Sequence, residues 1–220
     1  MEHVSIIPST WFYLLTLLPT TIGGFLPATV IAAIALFVIK EILEWIKRSR
    51  ADARKLRGIK TLLAREIELN AWAIKRLSSY VGDLSQNSIE SGLKLSIEFR
   101  TSGNTILKHT LSSSDGEIDY GFSPIPDVHD ETLANHLLSV AMLDKTLFVS
   151  AQRAYDQTQE LENIRRSFIS YVLKEDGTNS EAFSSGFSDY AKGELEDIRS
   201  ALTDLYTKCT GKKEIQLRLR

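Results

Sequence analysis

A long uncharged run near the start of the sequence is the feature that most constrains the fold. Residues 4–39, a stretch of 36 residues, contain no charged side chain. About 20 helical residues suffice to cross a ~30 Å hydrocarbon core, so the run predicts at least one membrane span. Glu2 and His3 are the only ionisable side chains before Lys40, which is unlike the basic start of a cleaved signal peptide. We therefore expect this segment, residues 1–46, to be retained.

Three prolines divide the run, and each disfavours the continuation of a helix: Pro8, Pro19 and Pro27. A helix with Pro27 in its first turn gives a main span at about residues 24–45. Residues 9–18 form a helix of only about 15 Å, so we expect them to lie as a short helix in the outer interface. The alternative is a two-helix hairpin in which residues 4–21 cross the membrane as well.

Basic side chains follow the predicted span. Residues 40–60 hold eight Lys or Arg against three acids, whereas residues 61–220 carry a net charge of −6. A basic flank of this kind lies on the cytoplasmic side, which predicts a bacterial inner-membrane protein with a cytoplasmic C-terminal body. The acidic body argues against direct contact with nucleic acid. The side chains predicted to contact lipid headgroups are Lys47, Arg48, Arg50, Arg54, Lys55 and Arg57.

Small residues recur at intervals of four in the predicted span. Gly24, Ala28 and Ala32 form a row that would let a second transmembrane helix approach closely, which predicts self-association. The alternative is that alanine and glycine are common in membrane spans and that the row arises by chance.

The body beyond the span shows two hydrophobic periods. Residues 47–81 predict a basic juxtamembrane helix. Its apolar positions are separated by three, four or seven residues, which is a helical spacing: Leu56, Ile59, Leu63, Ile67, Ile74 and Leu77. Asn70 interrupts this stripe, where a polar residue serves to fix helix register. Residues 90–122 predict a small antiparallel β-meander, because residues 93–99 alternate apolar and polar side chains and residues 105–111 and 116–121 are plausible further strands.

Residues 127–210 predict two long antiparallel helices. The first begins at Asp127 or Asp130 and runs unbroken to about Leu173. The second carries one apolar face, formed by Phe183, Phe187, Leu195, Ile198, Leu202 and Leu205. Residues 211–220 form a basic tail. The expected fold is therefore mainly α: an N-terminal membrane segment, then a bundle or coiled coil of long helices with an inserted β-meander.

Motifs of the common enzyme classes are not found, and we expect the protein not to be an enzyme. The sequence has no GxxxxGK[ST], GxGxxG, GxSxG or HExxH pattern. His129 and His136, with Asp127 or Asp130, have a spacing that places them on one helix face, but such a pair is typical of a solvated surface, so we predict no metal site and no cofactor. Cys209 is the only cysteine, which excludes an internal disulfide, and we expect it to be a small apolar filler.

The whole arrangement resembles small bacterial transmembrane effectors of anti-phage systems such as retrons. The resemblance rests on the apolar segment before Trp45, the basic border at residues 47–60 and a helical body without enzyme motifs. It implies a protein that is held inactive by a protein partner, in that family part of a nucleoprotein complex, and that perturbs the inner membrane when released. The alternative is a non-toxic membrane-tethered scaffold that positions a cytosolic protein through its helices.

Overall fold

A computed structural model describes residues 27–87, 93–101, 104–113, 116–173 and 181–216 of the chain. The chain divides into two compact units, residues 1–52 and residues 53–220. The described residues form four helices and three strands, in the order α1 (Ala28–Asn87), β1 (Leu93–Phe99), β2 (Thr105–Ser113), β3 (Gly116–Pro124), α2 (Glu131–Leu143), α3 (Lys145–Leu173) and α4 (Glu181–Thr210). The mainly helical fold with a small inserted sheet is confirmed.

The described part of the first unit is the beginning of α1. This helix starts directly after Pro27, whose carbonyl oxygen accepts a hydrogen bond of 2.8 Å from the Val30 amide. Proline is suited to this place because it fixes φ and has no N–H group to leave unpaired.

Among the residues that the structure describes, no helix has a stretch both long enough and apolar enough to cross a membrane. The span predicted at about residues 24–45 is therefore not confirmed. In its described part the uncharged run ends at Ile39, and Lys40, Glu41 and Glu44 follow. Residues 24–26, the short helix predicted at residues 9–18 and the alternative hairpin lie outside the described residues.

The core of the second unit is built from the apolar stripes of its helices. The stripe predicted in α1 is buried from Ile59 to Leu77, and Leu56 packs against it half-buried. In α3 and α4 the buried side chains again recur at helical intervals, because only one face of each helix meets its neighbours. The buried residues of these two helices include Leu147, Ala151, Ala154, Leu161, Ile164, Phe168, Leu195, Ile198, Leu202 and Leu205.

Helices α3 and α4 are antiparallel, as predicted. Ser150, near the start of α3, donates a hydrogen bond of 2.7 Å to Asp204, near the end of α4. Tyr190, near the start of α4, donates to Glu160 further along α3. The two helices thus pack along most of their length.

The predicted unbroken helix from Asp127 or Asp130 to Leu173 is wrong, because the chain turns at Asp144. This residue has an extended backbone (φ −153°, ψ 100°) and separates α2 from α3. Its side chain accepts a hydrogen bond of 2.9 Å from the Leu147 amide and so caps α3. At the other end of α2, Asp130 accepts a hydrogen bond of 2.6 Å from the Gln159 side chain of α3. Helix α2 therefore folds back along α3, and residues 127–210 contain three helices.

The inserted sheet is antiparallel with the order β1-β2-β3, which confirms the predicted meander. Strands β2 and β3 extend two and three residues beyond the predicted ends, to Ser113 and Pro124. Leu107, the third residue of β2, is fully buried, and its β1 partner Ile97 packs half-buried against the core. One face of the sheet therefore packs against the helices.

Candidate functional site

The described part of the first unit exposes apolar side chains on all sides of α1. Leu36, Phe37 and Trp45 are 67%, 61% and 56% exposed. No described residue before Leu56 belongs to the hydrophobic core. Contiguous exposed apolar surface on this scale marks contact with a membrane or with another protein.

The predicted helix-packing row is only partly within the described residues. Gly24 and the side chain of Ala28 lie outside them, and Ala32 is exposed. Self-association through Gly24, Ala28 and Ala32 therefore stays a prediction.

All six basic side chains predicted to contact lipid headgroups are exposed. Lys47, Arg48 and Arg50 belong to the first unit, and Arg54, Lys55 and Arg57 belong to the second. Arg48 forms an ion pair of 3.4 Å with Glu44, one helical turn earlier. Within the described parts of the chain the other five form no salt bridge, so their charges are available to an anionic partner.

A buried carboxylate in α1 binds the start of α2. Glu66 is only 5% exposed, and its two oxygens accept hydrogen bonds of 2.6 Å from the Thr132 amide and 2.9 Å from the Leu133 amide. These amides are among the donors that a helix leaves free at its N-terminus. Sequence analysis missed this contact, although a glutamate next to an apolar stripe is a signal of a buried polar role.

Residues 124–130, which we call the connector, join β3 to α2. The Asn70 side chain donates to the His129 carbonyl at 2.5 Å and accepts from the His129 amide at 2.8 Å. Tyr80 donates to the Pro124 carbonyl at 2.9 Å, and burial is the main cause that raises the pKa of Tyr80. Asn70 is buried, but it binds the main chain of the connector, so the predicted role in fixing helix register is not confirmed.

The aspartates considered as metal ligands bind other side chains. Arg165 donates to Asp127 at 2.9 Å and to the Pro126 carbonyl at 2.7 Å, and Asp130 accepts from Gln159. The described residues contain no group of three His, Cys, Asp or Glu side chains placed to hold a metal ion.

A second polar cluster joins α3 to α4. Lys208 donates to Asp204 at 2.9 Å and also to the hydroxyl of the buried Ser150, which itself donates to Asp204. The hydrogen bonds from Lys208 and Ser150 hold the pKa of Asp204 below its ordinary value. Ser150 is buried away from solvent, and its hydroxyl donates to a carboxylate whose lowered pKa makes it a weak base, which is unlike an activated serine nucleophile. The cluster is therefore a packing contact between helices.

Cys209 packs half-buried against the core, and burial raises its pKa to about 11. A thiol with this pKa is protonated at neutral pH and is a poor nucleophile. This agrees with a filler role rather than a reactive one.

Sequence analysis also missed a group of exposed apolar side chains beside the turn at Asp144. Leu138, Met142 and Val149 are 72%, 78% and 67% exposed. Their exposure could not be predicted while residues 127–173 were taken as one helix, because the turn decides which faces of α2 and α3 are covered.

Comparison with known proteins found no matching protein-family model, no similar curated protein and no similar solved structure.

Proposed function

We propose that this protein is a membrane-anchored effector of a bacterial anti-phage defence system, which perturbs the inner membrane when a partner complex releases it. The observation that carries the proposal is the exposed apolar beginning of α1. The apolar side chains of residues 30–45 have no core to cover them within the described chain, and residues 30–39 are the last part of the uncharged run of residues 4–39.

A membrane would cover the apolar side chains that are exposed in the described part of the first unit. Transfer of apolar surface out of water is favourable by roughly 25 cal/mol per Å². Trp45 stands where the apolar run meets the basic residues, a position typical of aromatic side chains at a membrane interface. The basic side chains from Lys47 to Arg57 then meet the anionic headgroups of the cytoplasmic leaflet.

Perturbation of the membrane requires several anchors to act together. The row Gly24, Ala28 and Ala32 has the small residues that allow close approach of membrane helices. In the proposed mechanism a protein partner, bound to the cytoplasmic helices, keeps the anchors apart. Its loss lets them assemble and makes the bilayer leak.

Membrane potential after induced expression of the full chain is the direct test. We expect depolarisation and loss of viability, and we expect neither from a chain lacking residues 1–45. Replacement of Gly24, Ala28 and Ala32 by Leu should keep the protein in the membrane fraction but abolish depolarisation, since Leu prevents close helix approach. The matched control is Thr29→Leu with Ala33→Leu, which adds bulk on the opposite side of the same helix. An undiminished effect of the triple Leu variant would contradict assembly through this row.

A second candidate function is a non-toxic scaffold that holds a cytosolic protein at the membrane. It is favoured by the buried polar contacts of Glu66 and Asn70, which fix α1, α2 and the connector in one arrangement. A normal membrane potential, with the full chain inserted and the partner gene deleted, would favour this function over the effector.

A further inference from the structure

One end of the second unit brings together three segments that are far apart in the sequence. Lys60 of α1 lies 4.0 Å from Asp144 at the turn between α2 and α3. Lys208, near the end of α4, donates a hydrogen bond to Ser150, six residues after Asp144. The residues around 53–60, the Asp144 turn and the end of α4 therefore share this end of the bundle.

The same end collects exposed basic side chains. Lys145 follows the turn directly, and Lys212 and Lys213 follow α4 in a segment whose Ile215 packs against the core. We call this surface the basic end, and its exposed cations are Arg54, Lys55, Arg57, Lys145, Lys212 and Lys213. In the part of the chain that the structure describes, these six form no salt bridge.

Acidic side chains offset little of this charge. Asp144 is engaged by Lys60, and Asp204 is engaged by Lys208. Glu214 is exposed between Lys213 and Ile215 and is the one carboxylate within residues 211–216. The basic end therefore keeps a clear positive excess although the chain as a whole is slightly acidic.

Exposed apolar side chains stand beside these cations. Met142 lies two residues before Asp144, and Val149 lies one helical turn after Lys145 on the same face of α3. The side chains of Met142 and Val149 are 78% and 67% exposed. Apolar side chains surrounded by lysine and arginine are the chemistry of a surface that binds at an anionic lipid interface.

We propose that the basic end binds anionic lipid headgroups, with Met142 and Val149 entering the interface. The inference rests on the proposed function, since it requires the chain to be at a membrane. It adds Lys145, Lys212 and Lys213 to the cations predicted from the sequence. Only the folded bundle brings these three lysines to the same end as the cations of α1. The bundle itself then contacts the bilayer, in addition to the apolar segment.

Nucleic acid fits this surface less well. Binding of single strands uses aromatic side chains on which bases stack. No exposed aromatic side chain occurs in residues 53–60, 138–149 or 208–216.

Lysine acetylation of the full chain in vesicles tests the inference. The chain is reconstituted into phosphatidylcholine alone and into phosphatidylcholine with about one third phosphatidylglycerol, treated with a membrane-impermeant acetylating reagent, and analysed by mass spectrometry. Lys75 is the internal reference, because it is exposed on α1 about 20 Å along the helix from Lys60. We expect Lys145, Lys212 and Lys213 to react about fivefold more slowly, relative to Lys75, in the anionic vesicles. Molar salt should remove the difference, because it screens charges beyond about 3 Å.

Two variants separate apolar insertion from charge. Met142→Ser with Val149→Ser should bring the acetylation of Lys145 in anionic vesicles towards the rate in neutral vesicles. Leu173→Ser changes an exposed apolar position near the other end of α3, and with it the acetylation of Lys145 in anionic vesicles should stay slow.

The outcomes distinguish this inference from the proposed function. Equal lysine reactivity in both vesicle types, with the chain still floating with the vesicles, overturns lipid binding by the basic end and leaves the membrane anchor intact. A chain that does not float with either vesicle type overturns the membrane anchor and this inference together. If added nucleic acid slows the acetylation of Lys145, Lys212 and Lys213 in neutral vesicles and phosphatidylglycerol does not, the choice of lipid as the ligand is overturned.

Discussion

Glu66 occupies a place in which glutamate is rarely found. Carboxylates are almost never fully buried unless they are paired, because removal of a charge from water is costly. Here the two backbone amides at the start of α2, together with the positive end of the α2 dipole, replace the lost water. A single side chain therefore connects α1 to a helix 65 positions later in the sequence, at Glu131.

Glu66→Gln should destabilise the second unit although it hardly changes the shape of the side chain. The amide keeps one oxygen acceptor but directs an NH₂ group at a backbone donor, which costs about 1–3 kcal/mol. Urea unfolding of the purified chain, followed by far-ultraviolet circular dichroism, measures the difference. Glu196→Gln, on the exposed face of α4, is the matched control. Equal stability of the two variants would show that the Glu66 hydrogen bonds add nothing.

At the scale of the elements, the apolar periodicity predicted α1, α3 and α4, and the alternation of side chains predicted the sheet. The break at Asp144 was not predictable in this way, because Val140 and Leu147 are both buried and lie seven residues apart, which is two helical turns. The turn is determined by long-range contacts, from Glu66 to α2 and from Gln159 to Asp130. For the same reason the sequence predicted the cations of α1 but not Lys145, Lys212 or Lys213, which join them only in the folded bundle.

Asp144→Ala should cost about 1 kcal/mol, because α3 loses the side chain that caps its first turn. Asp144→Asn keeps an oxygen acceptor for the Leu147 amide and loses only the charge opposite Lys60. That ion pair is partly exposed and is worth at most about 1 kcal/mol. The midpoints of urea unfolding should rank the native chain first, Asp144→Asn second and Asp144→Ala last. An Asn variant as unstable as the Ala variant would assign the effect to Lys60 instead of the cap.

The contact between α3 and α4 at Asp204 should depend on pH. The pKa of Asp204 is lowered in the folded chain, so its charged form stabilises the fold above the ordinary carboxyl pKa of about 4, and this stabilisation is lost as the pH falls through the folded value. Asp204→Asn should therefore be less stable than the native chain at neutral pH, and the difference should shrink at about pH 3. Thermal unfolding at the two pH values measures it. Asp197→Asn, which removes an exposed carboxylate elsewhere on α4, is the matched control.

At the scale of the whole molecule, the hydrophobic core and the exposed apolar beginning of α1 lie in different units. The hydrophobic core and its partly buried neighbours lie between Leu56 and Ile215, entirely within the second unit. The described residues of the first unit contribute exposed apolar and charged side chains and no core. The second unit therefore has the composition of an independent folding domain.

A chain that lacks residues 1–52 should unfold in one cooperative transition, because none of the described residues among them, 27–52, belongs to the hydrophobic core. Circular dichroism during urea unfolding checks this. In the same shortened chain, Leu63→Ala should lower the free energy of unfolding by about 2–5 kcal/mol, since Leu63 is almost fully buried. A gradual transition without a plateau, or no loss from Leu63→Ala, would show that the core needs the first unit.

The connector has an evolutionary consequence. Asn70, Tyr80 and Arg165 bind carbonyl or amide groups of its main chain, at His129, Pro124 and Pro126. Every residue type except proline has both a main-chain N–H and a carbonyl group, so replacement of His129 by any of these types leaves the bonds to Asn70 in place. Selection should therefore act on the three binding side chains and leave position 129 free to drift. In descendants of this gene, Asn70 should outlast the histidine whose backbone it holds.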